Sequence, residues 1–267
     1  MRCAIKKSNA PTPLILLTND DGFFARGIKT LFRSLTSVGE VYIVAPDKEY
    51  SATSLCLTLH HPLRVKTIED HIYAIDGTPA DCVYMAVQML LPRKPDLLIS
   101  GMNHGPNVGQ QDISYSGTVA GAVQGTFLQI PSVAISLSAD KKGKFPFELG
   151  AKIGTLVAKK LLDNALPEGV ALNINIPPPP VKGVKLAKLG QKRYHPEIIV
   201  KTDPRGRTYY WIGTGNPKGE GDKDSDVMVI QKGYITVTPM HRDLTDYNAL
   251  ELPKLKDIFS SLNKEIL

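Results

Sequence analysis

Through its N-terminal half the chain repeats one pattern: a short apolar run, a polar loop, then a segment with helical spacing. Leu14-Ile15-Leu16-Leu17 reads as a buried strand, and Ile28, Leu31, Phe32 and Leu35 mark one face of a helix over residues 27–38. Residues 41–45 form a second apolar run, closed by Pro46. Pro79 suits a helix start with Asp81 in its first turn, and Val83, Ala86, Val87 and Leu90 continue along one face. Leu97-Leu98-Ile99-Ser100 predicts a third central strand, residues 117–128 a tightly packed helix of small residues, and residues 133–137 a further strand. Leu149, Ile153, Leu156, Val157 and Leu161 predict another helix, and residues 172–176 another strand. Strands alternating with helices predict a doubly wound, mostly parallel α/β sheet. Such sheets bind ligands beyond the carboxyl ends of their strands, where the strand order reverses. The residues that follow each strand are therefore the ones to read for chemistry.

Pro177-Pro178-Pro179-Pro180 interrupts the alternation and predicts an extended connector. Residues 198–202 and 208–212 flank Asp203-Pro204-Arg205-Gly206, turn chemistry for a hairpin. Residues 213–226, rich in Gly and Lys, read as a mobile loop, residues 233–239 as a strand, and Leu255, Ile258, Phe259 and Leu262 as the face of a terminal helix. The expected organisation is an α/β core over residues 1–180 that carries the site. A C-terminal part follows over residues 181–267, with a protruding hairpin within 190–230 and a terminal strand and helix that return to the core.

Composition narrows this picture. With 267 residues, 42% of them hydrophobic, the chain can bury a full core and is too apolar for disorder. Cys3, Cys56 and Cys82 provide neither a disulfide framework nor a CxxC pair, and read as reduced thiols of a cytoplasmic protein. No apolar run approaches the roughly 20 residues a bilayer needs. The basic start MRCAIKKSNAPTP is followed by no signal-peptide core, so no membrane partner is expected. The net charge of +6 is concentrated: residues 182–223 hold ten of the 32 basic and four of the 26 acidic residues, hence the whole excess. That excess suits an anionic ligand, and equally a solvated lysine-rich excursion.

Five strings carry candidate chemistry. Thr18-Asn19-Asp20-Asp21-Gly22 places two adjacent carboxylates at a strand end, where a hard divalent cation such as Mg²⁺, Mn²⁺ or Ca²⁺ would relieve their repulsion. Read alone, the same string is a turn. Ser51, after the second strand, offers a hydroxyl. Ser100-Gly101-Met102-Asn103-His104-Gly105-Pro106-Asn107-Val108-Gly109 offers carboxamide oxygens at Asn103 and Asn107. His104 within it is either a proton donor or a solvent-facing loop residue. Tyr115-Ser116-Gly117-Thr118 has an N-cap serine and opens a helix whose free N–H groups suit phosphate, although an ordinary capped helix has the same look. Asp76-Gly77-Thr78-Pro79-Ala80-Asp81-Cys82 is a turn into a helix and a plausible substrate wall. No Walker A loop and no GxGxxG after the first strand are present, which weighs against a dinucleotide-binding dehydrogenase. The loops after the first three strands face one sheet edge. Two acids, a serine and an asparagine converging beside a helix start suit metal-assisted hydrolysis of a phosphate ester.

These strings, in this order, resemble the SurE family of survival proteins, metal-dependent 5′-nucleotidases. The resemblance rests on Thr18-Asn19-Asp20-Asp21-Gly22, Val44-Ala45-Pro46-Asp47, Ser51, Leu57-Thr58-Leu59, Asp76-Gly77-Thr78-Pro79-Ala80-Asp81-Cys82, Ser100-Gly101-Met102-Asn103, Gly105, Asn107, Gly109 and Tyr115-Ser116-Gly117-Thr118. It covers most of residues 14–138 and continues more loosely to Gly233-Tyr234-Ile235-Thr236-Val237-Thr238-Pro239. It implies a Rossmann-like, three-layer α/β core with an extended C-terminal arm exchanged between the subunits of a dimer or tetramer. It implies one divalent cation held by Asp20, Asp21, Ser51 and Asn103, with Asp20, Asp21 and Asn103 catalytic. Asn107, Ser116, Gly117 and Thr118 fall where the substrate phosphate is expected. The implied substrates are nucleoside 5′-monophosphates, with tolerance that extends to 3′-nucleotides and short polyphosphate, and no specific nucleic acid.

Two departures mark this chain. The family usually carries Arg-Ser-Gly around the serine, where Tyr50-Ser51-Ala52 stands here. A cation and a flexible glycine are thereby absent beside the expected site. Two other chemistries compete with the metal-assisted reading: an aspartyl-phosphate hydrolase with Asp20 as nucleophile, which lacks the usual Asp-x-Asp spacing, and a polyanion binder that uses residues 182–223 without catalysis.

Overall fold

The computed structural model describes residues 11–194, 197–213, 215 and 218–266. Cys3 and the basic N-terminal stretch lie outside the described residues. The elements in chain order are β1 (Leu14–Thr18), α1 (Arg26–Leu35), β2 (Glu40–Pro46), β3 (Val65–Glu69), β4 (Ile72–Ile75), α2 (Pro79–Met85, prolonged by a π-helical turn over Ala86–Leu90), β5 (Leu97–His104), α3 (Gly109–Tyr115), α4 (Gly117–Phe127), β6 (Ser132–Leu137), α5 (Phe147–Asp163) and β7 (Val170–Ile176). The C-terminal part adds β8 (Val184–Leu186), β9 (Gln191–Arg193), β10 (Ile198–Thr202), β11 (Thr208–Ile212), β12 (Lys218–Glu220), α6 (Asp226–Gln231), β13 (Ile235–His241), α7 (Tyr247–Leu250) and α8 (Pro253–Ile266).

Nine strands form one sheet in the order β3-β4-β2-β1-β5-β6-β7-β13-β8. From β4 to β7 the neighbours are parallel; β3 runs antiparallel on one flank and β13 antiparallel to β7 on the other. The strand order reverses between β1 and β5. From β1 the chain first builds outward through β2, then returns to place β5 on β1's other side. The doubly wound, mostly parallel sheet expected from the alternation is the observed fold.

Burial on both faces explains why the central strands read as continuous apolar runs. Ile15 and Leu17 enter the layer under α1 and α5, with Ile28, Leu31 and Ile135. Leu16 points the other way, into the layer with Val44, Cys82, Val83 and Leu98. Truncating any of these fully buried side chains to alanine costs about 2–5 kcal/mol. On the α4 side the layer is thin, built from small and hydroxyl residues. A Cβ added at Gly121 would lie 2.7 Å from Ser100 Oγ, so the helix rides close to the sheet.

Several elements escaped the sequence pattern. β3 is mostly exposed and forms no apolar run, and β4, although apolar throughout, is only four residues long. Residues 213–226 are not a featureless loop: β12 lies within them, paired antiparallel to β9. The hairpin β10–β11 has the expected bounds, from Ile198↔Ile212 to Thr202↔Thr208. β13 rejoins the main sheet beside β7. Helix α8, expected to return to the core with it, is instead exposed along residues 253–262 in the single chain.

Candidate active site

The sheet's reversal point puts the ends of β1 and β5 side by side, with Thr18 in register with Ser100. Asn19, Asp20 and Asp21 follow β1 directly. Asn19 is buried and its amide donates to Gly22 O at 2.9 Å, which closes the turn and turns the two acids toward the sheet edge. The Tyr50 N–H donates to Asp20 O at 2.8 Å and ties the loop after β2 to the same turn. On β5 the register shifts between Gly101 and Asn103, a bulge that re-aims the strand's last residues. Only glycine fits at 101: its φ is +136° and a Cβ would lie 2.2 Å from Ile135 O.

A cavity of about 900 Å³ opens over this edge. Asp20, Asp21, Ser51, Asn103, Asn107 and Ser116 all line it. Gly117 and Thr118 stand immediately behind, at the start of α4. All eight residues singled out from the sequence thus lie in or against one cavity.

Each has a distinct local setting. Asp20 is 7% exposed, and its Oδ1 accepts from the Thr118 hydroxyl. Burial pushes its pKa up to about 6; the Thr118 hydrogen bond opposes the shift and the neighbouring Asp21 charge adds to it. A Cβ at Gly117 would fall 2.8 Å from Asp20 Cβ and 3.1 Å from Oδ2, so the helix start is built around this carboxylate. Ser116 caps α4 by accepting from the Val119 N–H at 3.1 Å. Asp21 Oδ1 lies 3.2 Å from His104 Nδ1, and that hydrogen bond holds the imidazole pKa above its ordinary value. The His104 ring also packs on Phe145 and Phe147, with centroids 5.2 and 5.3 Å away. His104 is therefore a partner of the acid pair rather than a free loop residue. Asp21 Oδ2 is buried without a hydrogen-bond partner. Asn103 donates its amide to Gly105 O at 2.8 Å, leaving Oδ1 as its free end. The Ser51 hydroxyl donates to Glu49 Oε1 at 2.6 Å and keeps its lone pairs.

Hard oxygen donors, two carboxylates and a buried oxygen lacking a partner fit a single divalent cation. Among the described residues no group of three or more His, Cys, Asp or Glu could hold a metal. The donor set here therefore depends on neutral oxygens beside the two acids.

Sequence reasoning missed the cavity's outer wall. Tyr194, Gln111 and Asp112 line it. The Tyr194 hydroxyl donates to Asp112 Oδ1 at 2.6 Å, and Lys192 Nζ sits 2.6 Å from Oδ2. These pairs are far apart in sequence, so no local spacing announces them. Asp76 and Asp81, weighed as a substrate wall, serve other ends. Asp81 accepts from the Thr58 N–H and hydroxyl and closes a capping box with Thr78.

Comparisons with known proteins identify the family. The sequence model of the family described as "Survival protein SurE" matches residues 15–196. A protein of Pelobacter propionicus named "5′-nucleotidase SurE" is 44% identical over 242 residues, 89% of this chain and 97% of the relative. One of Pelotomaculum thermopropionicum with the same name is 46% identical over 262 residues, 94% of this chain and 98% of the relative. The crystal structure of SurE protein from Aquifex aeolicus superposes with a TM-score of 0.78 at 38% identity, covering 92% of this chain and all of that one. With matches that span nearly its whole length and an acid pair standing where the strand order reverses, this chain belongs to the SurE family.

Proposed function

We propose that this protein is a 5′-nucleotidase that hydrolyses nucleoside 5′-monophosphates in the cavity over β1 and β5, using one divalent cation held by Asp20, Asp21, Ser51 and Asn103. The observation that carries the reading is the acid pair, Asp20 buried and Asp21 partly buried: Asp21 Oδ2 has no partner among the described residues, and the Asp20 carboxyl is pushed up to about 6 by burial. Two carboxylates left this way call for a cation. The relatives' name supports the substrate, and the cavity has room for a nucleoside beyond the phosphate.

Held by Asp20, Asp21, Ser51 and Asn103, a hard divalent cation would supply charge neutralisation at the phosphate and a more acidic water. The chain's own residues do the rest. Thr118 fixes the rotamer of Asp20 through its hydroxyl. His104 holds Asp21 from the other side. Asn107 and the Ser116-Gly117-Thr118 turn take the phosphoryl oxygens, with the α4 dipole favouring the negative charge. Asp20 or Asp21 orients the attacking water and accepts its proton. An aspartyl-phosphate route with Asp20 as nucleophile is disfavoured because the usual Asp-x-Asp spacing for nucleophile and acid is absent.

Ser51→Ala and Asn103→Ala each remove one neutral oxygen. Both variants should need more Mg²⁺ or Mn²⁺ for half-maximal activity, by about tenfold, at a lower plateau. An unshifted metal titration in both would remove these residues from the donor set. The substrate reading is tested by phosphate release from AMP, 3′-AMP and short polyphosphate. AMP should be cleaved fastest; no release from AMP with any divalent metal would contradict it.

The same reading makes the protein a homo-oligomer through its arm. The hairpin is exposed throughout, with Tyr210, Trp211 and Ile212 at 67%, 62% and 78%. A lone two-stranded ribbon is at best marginally stable in water and needs cover. Deleting residues 198–212 should yield a smaller species in light scattering with a folded α/β core. An unchanged mass would rule the arm out. No described helix is long and apolar enough to cross a membrane, and the free thiol at Cys56 suits a reducing cytoplasm.

A further inference from the structure

Strand β7 carries two asparagines, Asn173 and Asn175, at alternate positions of a stretch that is otherwise Leu, Ile and Ile. Both are completely buried. A buried carboxamide is costly unless its hydrogen bonds are made, so a core strand holding two of them needs a reason. The reason lies at the cavity. Asn175 pairs with the backbone of Asn107 through both ends of its amide: the Asn107 N–H donates to Asn175 Oδ1 at 2.8 Å, and Asn175 Nδ2 donates back to Asn107 O at 3.0 Å. Asn173 Nδ2 donates to the same carbonyl at 2.9 Å. Ser136, in register with Asn175 on β6, accepts from Asn107 Nδ2 at 2.8 Å.

Four hydrogen bonds from two strands thus converge on one residue of the loop between β5 and α3. They use its backbone donor, both lone pairs of its carbonyl, and one of its two amide hydrogens. The second amide hydrogen and Oδ1 remain, on a side chain that lines the cavity.

We infer that Asn173, Asn175 and Ser136 are positioning residues that hold the Asn107 carboxamide in place toward the substrate phosphate. This rests on the proposed function, because Asn107 is assigned to the phosphate there. The clamp's side-chain hydrogen bonds are separate from the cation site: in the described residues those of Asn173, Asn175 and Ser136 go to Asn107 and none to Asp20, Asp21, Ser51 or Asn103, although Ser136 stands opposite Asn103 in the β5–β6 register. Its loss should weaken the phosphate and leave the cation alone.

The test compares Ser136→Ala, Ser136→Thr, Asn175→Leu and Asn107→Ala with the wild type. KM for AMP and inhibition by inorganic phosphate are measured on the Mg²⁺-saturated protein, and the Mg²⁺ concentration at half-maximal activity by titrating protein stripped with EDTA. Ser136→Ala removes a single hydroxyl and keeps the strand, so it serves where Asn175→Leu does not fold. Asn107→Ala and Ser136→Ala should each raise KM and the phosphate inhibition constant about tenfold, the scale of one hydrogen bond to a charged group. The Mg²⁺ midpoint should stay unchanged. Ser136→Thr, which keeps the hydroxyl, should restore both constants. A role in stability alone would lower Tm without moving phosphate inhibition. If Asn107→Ala weakens phosphate but Ser136→Ala does not, the clamp is overturned while the proposed function stands. If Asn107→Ala leaves phosphate inhibition as in wild type, the assignment of Asn107 fails, and the clamp with it.

Discussion

Replacing Asp20 or Asp21 by asparagine should leave a folded protein that no longer releases phosphate. Each change removes one of the two charges in the proposed donor set, and neutral oxygens do not replace it. A loss of more than about hundredfold is expected at any metal concentration, comparable with removing a central electrostatic element from an active site. The metal-free protein should respond in the opposite sense. The Asp20 carboxyl sits at about 6 in the folded chain against an ordinary value of 3.8, chiefly because of burial. Between those values the folded state binds more protons than the unfolded state, so stability falls as pH rises through about 4 to 6 and stays lower above it. The shift corresponds to roughly 3 kcal/mol. His104, held above its ordinary pKa by Asp21, acts in the same direction: its contribution is present at low pH and lost as pH rises. In EDTA, Asp20→Asn should therefore melt a few degrees higher than wild type at pH 7, with a flatter pH profile. The Thr118 hydroxyl keeps an acceptor, since the asparagine oxygen takes its place. Full activity of either variant at saturating metal would contradict the site.

Gly117→Ala should be nearly as damaging, for a reason of space. The added methyl would stand 2.8 Å from Asp20 Cβ, an atom next to the backbone that cannot swing aside. Alanine is a better helix former than glycine, so α4 itself is not the casualty. The carboxylate or the helix start must move instead. Displacement of a reacting group by about 1 Å costs on the order of hundredfold in rate. We expect kcat to fall on that scale, with circular dichroism unchanged and weakened metal binding in calorimetry. Thr118→Val, which is isosteric but lacks the hydroxyl, should give a smaller loss. Wild-type kcat in Gly117→Ala would show that the approach of α4 to Asp20 has no catalytic consequence.

Much of this architecture was legible because buried parallel strands announce themselves. Leu14 to Leu17 and Leu97 to Ile99 are buried on both faces, so each residue is apolar and each strand ends abruptly in polar loop chemistry. The acid pair follows β1, Ser51 follows β2 and Asn103 ends β5 past its bulge, and the topology alone brings them to one edge. What stayed hidden is non-local. β3 is a mostly exposed edge strand and β12 is only three residues long, and neither has a period to read. The Thr118 hydroxyl that holds Asp20 is 98 positions away in sequence. Tyr194 reaches the cavity wall by bonding to Asp112 across 82 positions. Asn173 and Asn175 were visible as polar residues in an apolar strand, but the partner that justifies them lies 66 and 68 positions upstream. The terminal helix α8 has an apolar face at helical spacing, yet among the described residues Leu255, Ile258, Phe259 and Leu262 remain exposed.

The most direct measurement is phosphate release from AMP by purified protein stripped with EDTA and then titrated with Mg²⁺ or Mn²⁺. The account predicts no release in EDTA, recovery with a single saturable metal dependence in the wild type, and no recovery in Asp21→Asn. Undiminished release in EDTA, or recovery in Asp21→Asn equal to wild type, would contradict it.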